Sequence, residues 1–373
     1  MNLKILYSPI PHGVLEYDDL RMLTSEGHRV FSLGQYGDFD HPVEGARPTR
    51  PEFYQKELTE IFKSDPNCSY KTKKVSLEFV NNFDVVIASG VEQWVLENFS
   101  SLTKVPIVFR TIGQSNAASE ALISSTNIYT KIVRYASSEV GLPGFARTDE
   151  VIYFGKSLEE YPNWRGGGNP LTFHSNYKDR DTESSPSILQ YESLSDGTYA
   201  ELYGVNSDDT PRYKGIVHFS KQFEMMADAS CYLYVWSRPP SYTLSLVEAM
   251  LVGLPIVAPS RAFVSSMTPR DGSGWFPERY EVQTLLSDGC GLLYNTLLEG
   301  RNFIAQLQQD KKLATEISQN SRLRSREIFD DQKIGRQWTR FLNKTVFDFK
   351  KKASANSNYF LRLRYIISSF ISK

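Results

Sequence analysis

Soft and imidazole ligands are scarce in this chain: 373 residues carry three cysteines, five histidines and six methionines. Cys68, Cys231 and Cys290 are odd in number, far apart and without metal-ligand spacing, so no disulfide framework is encoded, and free thiols in a reducing compartment are expected. Long apolar runs are missing too. No window reaches the ~18 apolar residues of a membrane span, and MNLKILYSPIPHG at the N-terminus has one lysine and a run cut by Pro9, too short for a secretory signal. A cytoplasmic protein is expected. With a net charge of −1, the surface as a whole has no strong attraction for nucleic acid or anionic lipid.

What is present is ordinary globular material, 40% apolar and 13% aromatic, in a chain long enough for two cores. KILYSP (4–9) reads as a strand, LEYDDLRMLTSEGH (15–28) as an amphipathic helix stopped by Gly27, and RVFSLG as the next strand. The β-rich runs FDVVIASG, PIVFRTIG, KIVRYAS and EVIYFG follow, alternating with helical stretches. This is the pattern of a parallel sheet with crossover helices. YPNWRGGGNP (161–170) breaks it with aromatics, proline and three glycines, a linker composition. β-rich runs then resume with LTFHS, SILQYES, TYAELYG, GIVHFS, CYLYVWS, LPIVAP and GLLY, and 302–343 is helical. The expected layout is a first domain over 1–157, a hinge over 158–170, a second domain over 171–326, a helix over 327–349 crossing back to the first domain, and a tail over 350–373.

The most informative stretch is SRPPSYTLSLVEAMLVGLPIVAP (237–259). CYLYVWS before it is a strand, TLSLVEAMLVG a helix ended by Gly253, and LPIVAP the following strand. Pro239 and Pro240 bar an earlier helix start, and Ser241 or Thr243 is the N-cap. A helix start at the carboxyl end of a parallel strand presents unpaired N–H groups and about half a positive charge, which suits a phosphate. Glu248 shares a face with Leu244, Val247 and Leu251, so its carboxylate needs a donor. Two donors fit: the amides and dipole of its own surroundings, or the hydroxyls of a ribose beside a helix-bound diphosphate.

SYTLSLVEAMLVGLPIVAP resembles the donor-site segment of retaining glycosyltransferases of the GT-B fold, especially family 4, with VEAM followed at the right distance by GLPIVA. KQFEMMADASCYLYVWS and the order of strand, PHG loop and DDLRMLTSEGHRV are similar to the same family, and the similarity covers most of 3–343. The resemblance implies two Rossmann-like, doubly wound α/β domains facing each other across a cleft. It also implies sugar transfer from a nucleotide-diphosphate donor, with retention of configuration and no cofactor. By the same resemblance Glu248 binds the ribose, and the loop of Ser241, Tyr242 and Thr243, with Arg238 before it, binds the diphosphate.

The match has gaps. The family's earlier glutamate, eight residues before the second, is Pro240 here, and a Gly-rich turn is replaced by Ser241, Tyr242 and Thr243. Where relatives carry a histidine after a strand like PIVFRT, this chain offers Arg110 or Gln114 as the catalytic group implied by the resemblance. Lys178 and Arg180 in HSNYKDRD stand near the position of the family's cationic pair, with different spacing. His12 and Gly13 lie in the first strand-to-helix loop, where glycine admits a ligand, and Asp18 and Asp19 are expected to serve the helix dipole. Neither DDT (208–210) nor DFD (38–40) forms an Asp-x-Asp metal motif in a suitable setting, so metal-free transfer is expected.

Two other functions share these features: a nucleotide-sugar epimerase of the same architecture, and a non-catalytic binder of sugar nucleotides or glycans. The acceptor is open among a glycan, a lipid-linked sugar, a protein and a nucleobase. From Lys344 onward seven basic residues face one acid, Asp348. This segment either packs on its own protein or contacts the inner face of a membrane or nucleic acid.

Overall fold

The computed structural model describes residues 1–371 apart from 11, 37–52, 54, 114–115, 127–128, 175–186, 206–209, 236–240 and 268–276, and describes 126, 187, 220 and 353–371 by backbone alone. It holds two sheets. The first comprises β1 (Lys4–Tyr7), β2 (Arg29–Ser32), β3 (Val85–Ser89), β4 (Ile107–Arg110), β5 (Lys131–Arg134) and β6 (Glu150–Val151), in the order β2-β1-β3-β4-β5-β6. The second comprises β7 (Leu171–Phe173), β8 (Glu201–Tyr203), β9 (Tyr232–Leu233), β10 (Ile256–Pro259) and β11 (Leu292–Tyr294), in the order β11-β10-β9-β7-β8. All pairings within both sheets are parallel. The central strands β3, β4 and β10 are buried at every position, which is why they read as unbroken apolar runs rather than as alternating ones.

Strand order reverses at β1/β3 in the first sheet and at β7/β9 in the second. In doubly wound sheets the crevice outside such a switch point is where ligands bind. His12 and Gly13 follow β1, and the Leu244–Val252 helix follows β9, so both switch points lead into segments singled out by the sequence.

Two runs differ from the sequence expectation. SILQYES forms the Ser187–Ser195 helix, because Tyr191 and Leu194 bury at helical spacing. GIVHFS forms no strand and leads into the Phe219–Asp228 helix instead.

The crossings between the two halves run side by side. Lys156 N–H donates to Phe329 O (2.7 Å) and Asp331 N–H to Lys156 O (3.1 Å), with a parallel bridge between Lys156 and Asp330. The Asp331–Ile371 helix then lies against the first sheet: Trp338, Leu342 and Val346 are buried, and Gln337 Nε2 donates to Val151 O at 2.8 Å. Phe349 meets Tyr129 edge-on, and Lys350 pairs with Asp84 at 3.0 Å. The glycine-rich run before β7 is stitched to the second half: Trp164 Nε1 donates to Ala229 O (2.7 Å), and a Cβ on Gly168 would lie 2.6 Å from Asp228 O. One apolar cluster runs from Ile5 and Leu20 through Phe154, Tyr242 and Phe329 to Met250, joining the two halves.

The Leu244–Val252 helix ends as its sequence implies, with Gly253 at φ 81° donating to Ala249 O and Met250 O. A Cβ there would lie 2.9 Å from Ser318 Oγ and 3.0 Å from Ser318 O. Gly253→Ala is therefore expected to destabilise by at least the ~1–2 kcal/mol of a left-handed L-residue, read as a lower urea midpoint. An unchanged midpoint would refute this.

Candidate active site where the carboxyl edges of the sheets meet

The site is built around the start of the Leu244–Val252 helix. Thr243 is its N-cap in extended conformation, and its Oγ1 accepts from Leu246 N–H at 3.3 Å. The earlier amides, at Leu244 and Ser245, have no intrahelical acceptor by geometry and point out of the helix start. Tyr232 Oη, rising from β9, donates to Ser245 Oγ at 2.9 Å and fixes that turn.

One turn further, Glu248 is 5% exposed. Its Oε1 accepts from Lys156 Nζ at 3.2 Å and its Oε2 from Gln222 Nε2 at 2.7 Å. Lys156 Nζ also donates to Asp18 Oδ2 at 2.7 Å. Asp18 lies on the Gly13–Ser25 helix, whose N-cap is His12, with Nδ1 accepting from Leu15 N–H at 3.4 Å. By area His12 is solvent-exposed. Packing around its ring, followed by the Lys156 ammonium, nevertheless holds the imidazole below its ordinary pKa, against the opposing pull of Glu248 and Asp18. His12, Asp18, Lys156 and Glu248 thus form one electrostatic group drawn from both halves. A Cβ at Gly13 would lie 2.5 Å from Gln35 Oε1, the end of an exposed side chain that can turn away.

The loop before the helix is clamped by the first half. Ser241 N–H donates to Tyr135 Oη (2.6 Å) and its Oγ to Glu139 Oε1 (3.3 Å). Tyr242, 2% exposed, donates to Tyr135 O (2.9 Å) and packs among Tyr135, Phe154 and Phe329. Two carboxylates are exchanged across this seam. Glu139, from the first half, accepts from Arg279 Nη2 (2.7 Å), while Glu281, from the second, accepts from Ser137 Oγ (2.8 Å), Ser138 N–H (2.7 Å) and Tyr153 Oη (2.7 Å). Within the loop, the Ser241 amide and hydroxyl and the Tyr242 hydroxyl therefore bond to the first half, and Thr243 marks the start of the helix.

Arg110 is 1% exposed and belongs to the core: Nη1 donates to Asp19 Oδ2 at 2.5 Å and Nη2 to Tyr153 O at 3.3 Å, with Phe154 and Trp338 stacked on the guanidinium. Asp18 and Asp19 are accordingly not dipole acids at a solvated helix start. Both are buried, one against Lys156 and the other against Arg110 and Tyr7. Gln114, Lys178, Arg180 and Arg238 lie outside the described residues.

Sequence reasoning missed Lys156 and Gln222. The available signals were a single lysine closing EVIYFGK after the buried Phe154 and Gly155, and a glutamine beside the buried Phe223 on the helix before β9.

Two parallel α/β sheets meeting at their carboxyl edges, with a returning C-terminal helix, constitute the GT-B glycosyltransferase fold. No protein-family model and no curated protein sequence matches the chain. Solved structures do. Anabaena HepE in complex with UDP-glucose aligns over 92% of this chain and 100% of its own, with TM-score 0.62 and 14% identity. A glycosyltransferase from Rickettsia africae aligns over 92% and 99% (TM-score 0.61, 12% identity), and sucrose-phosphate synthase from Thermosynechococcus elongatus over 91% and 98% (TM-score 0.60, 12% identity). Among the described residues, no helix is long and apolar enough to cross a membrane.

Proposed function

We propose that this chain is a glycosyltransferase that moves a sugar from a nucleotide-diphosphate donor to an acceptor hydroxyl, with retention of anomeric configuration and without a metal. One observation carries the reading: the Glu248 carboxylate stands one turn inside a helix start at the switch point of the second sheet, held by Lys156 and Gln222. A carboxylate offers about four lone-pair sites, so these bonds orient it rather than use up its acceptor capacity. The pentose hydroxyls of the donor bind there. The diphosphate lies at the amides of Thr243, Leu244 and Ser245, where the helix field favours negative charge, and such preorganised donors stabilise a departing diphosphate by several kcal/mol. UDP-glucose in HepE, at the same fold, makes a uridine donor the first to try.

The two sheets form separate domains in this reading, one of residues 1–157 with the returning helix over 327–349 and one of 171–326, divided within 158–170. The acceptor enters on the side of the first sheet, past His12. Lys178 and Arg180 are retained as catalytic cations for the leaving diphosphate, Gln114 as the stand-in for the first domain's catalytic histidine, and Arg238 as a donor-binding group, on the resemblance alone.

A thermal-shift screen of nucleotide sugars tests the reading. A donor at one hundred times its Kd is expected to stabilise by about 2.7 kcal/mol, and that donor with an acceptor panel should yield free nucleotide diphosphate and a glycosylated product. Conversion of the donor alone would indicate an epimerase, binding without turnover on any acceptor a binding protein, and no shift with any donor would overturn the reading.

A further inference from the structure

Lys156 is the one described side chain shown touching the acids of both ligand-side helices. Asp18 lies on the helix that follows β1 at the first switch point, and Glu248 on the helix that follows β9 at the second; the same Nζ bonds both, at 2.7 and 3.2 Å. The lysine is fully buried. Its backbone is held on both sides, by Phe329 O and by the amide of Asp331, where the two crossings run in parallel. Next to it, Arg21 on the first helix pairs with both Glu160 and Asp331, tying that helix to both crossings. Gly155 is wedged so tightly that a Cβ would lie 2.6 Å from Met22 Sδ and 3.2 Å from the Asp331 backbone. The backbone of the lysine is therefore tied to both crossings, and its ammonium sets where the Glu248 carboxylate can stand relative to the first half.

We propose that Lys156 is a positioning residue that holds Glu248 in register with the first sheet, so that nucleotide binding at Glu248 depends on the placement of the two halves. The inference rests on the reading of Glu248 as the pentose-binding acid. A bound ribose meets a carboxylate already aimed by Lys156 and Gln222, and any shift of one half against the other moves Lys156 between Asp18 and Glu248 and redirects that acid. Losing one well-aimed hydrogen bond to a charged carboxylate is sufficient for a loss of roughly 10- to 100-fold in affinity.

The test is a double-mutant cycle on UDP-glucose affinity, measured by titration calorimetry on the full chain. Lys156→Met keeps most of the length of the side chain and removes the cation; it is expected to weaken UDP-glucose by about 10- to 100-fold, with Lys156→Arg recovering most of the loss. In a Glu248→Gln background, Lys156→Met should cost less than about threefold, because the group it positions is already gone. A purely structural ion pair would lower the melting temperature while leaving affinity near wild type, or would make the two penalties add; either result overturns the proposal. If Lys156→Met alone does not fold, Asp18→Asn/Lys156→Met removes one charge of each sign and takes its place in the cycle. Wild-type protein that binds no UDP-glucose and no other nucleotide sugar overturns the ribose reading itself and this inference with it. Wild-type binding that Lys156→Met leaves intact overturns only the role of the lysine.

Discussion

Glu248→Gln is expected to lose about 100-fold or more in affinity for the nucleotide-sugar donor, because hydrogen bonds to a charged group contribute about 1.5–3 kcal/mol each and a pentose presents two hydroxyls. The amide is nearly isosteric, and either Lys156 Nζ or Gln222 Nε2 can still donate to its oxygen, so the variant should remain folded. Calorimetric titration with the best donor of the screen, beside a melting curve, separates the two effects. Full retention of affinity in the variant would remove Glu248 from the site. Retained affinity with lost turnover would move it from ribose binding to the transfer step.

Arg110→Met is expected to show the largest loss of stability, about 3–5 kcal/mol, the usual result of stranding one partner of a buried ion pair. Among the described residues Asp19, 2% exposed, would keep the Tyr7 hydroxyl (2.5 Å) as its donor, and the stack between Phe154 and Trp338 would lose its cation. Trp338 belongs to the returning helix, so the same change loosens the attachment of that helix to the first sheet. A fall in melting temperature of roughly ten degrees is expected for a cost of this size. Asp19→Asn added to Arg110→Met should restore part of it, because the penalty comes from the unpaired carboxylate. The sequence placed Arg110 beside a family position with a catalytic role. A Met variant of normal stability that has lost transfer activity would return it to that role.

The fold was legible in the sequence because its strands are parallel and buried on both faces. VVIAS, IVFR and IVAP read as continuous apolar runs, and Gly27 and Gly253 punctuate the helices they end. SILQYES misled because a nine-residue helix with a small polar face resembles a strand over the same length. At the site, local spacing narrowed the cap to Ser241 or Thr243, of which the structure uses Thr243, and put Glu248 on an apolar face. What Glu248 touches does not: Lys156 is 92 positions away and Gln222 is 26, and no local pattern specifies that the end of β6 and the helix before β9 converge on it. The clamp on Ser241 and Tyr242 was hidden for the same reason, since Tyr135 and Glu139 are more than a hundred residues upstream.

The returning helix also bears on the order of synthesis. Trp338, Leu342 and Val346 close the core of the first sheet, yet they are translated after the whole of the second. The N-terminal half therefore emerges from the ribosome with an apolar flank that stays uncovered until the helix beginning at Asp331 arrives, so its consolidation waits for the second sheet to be made.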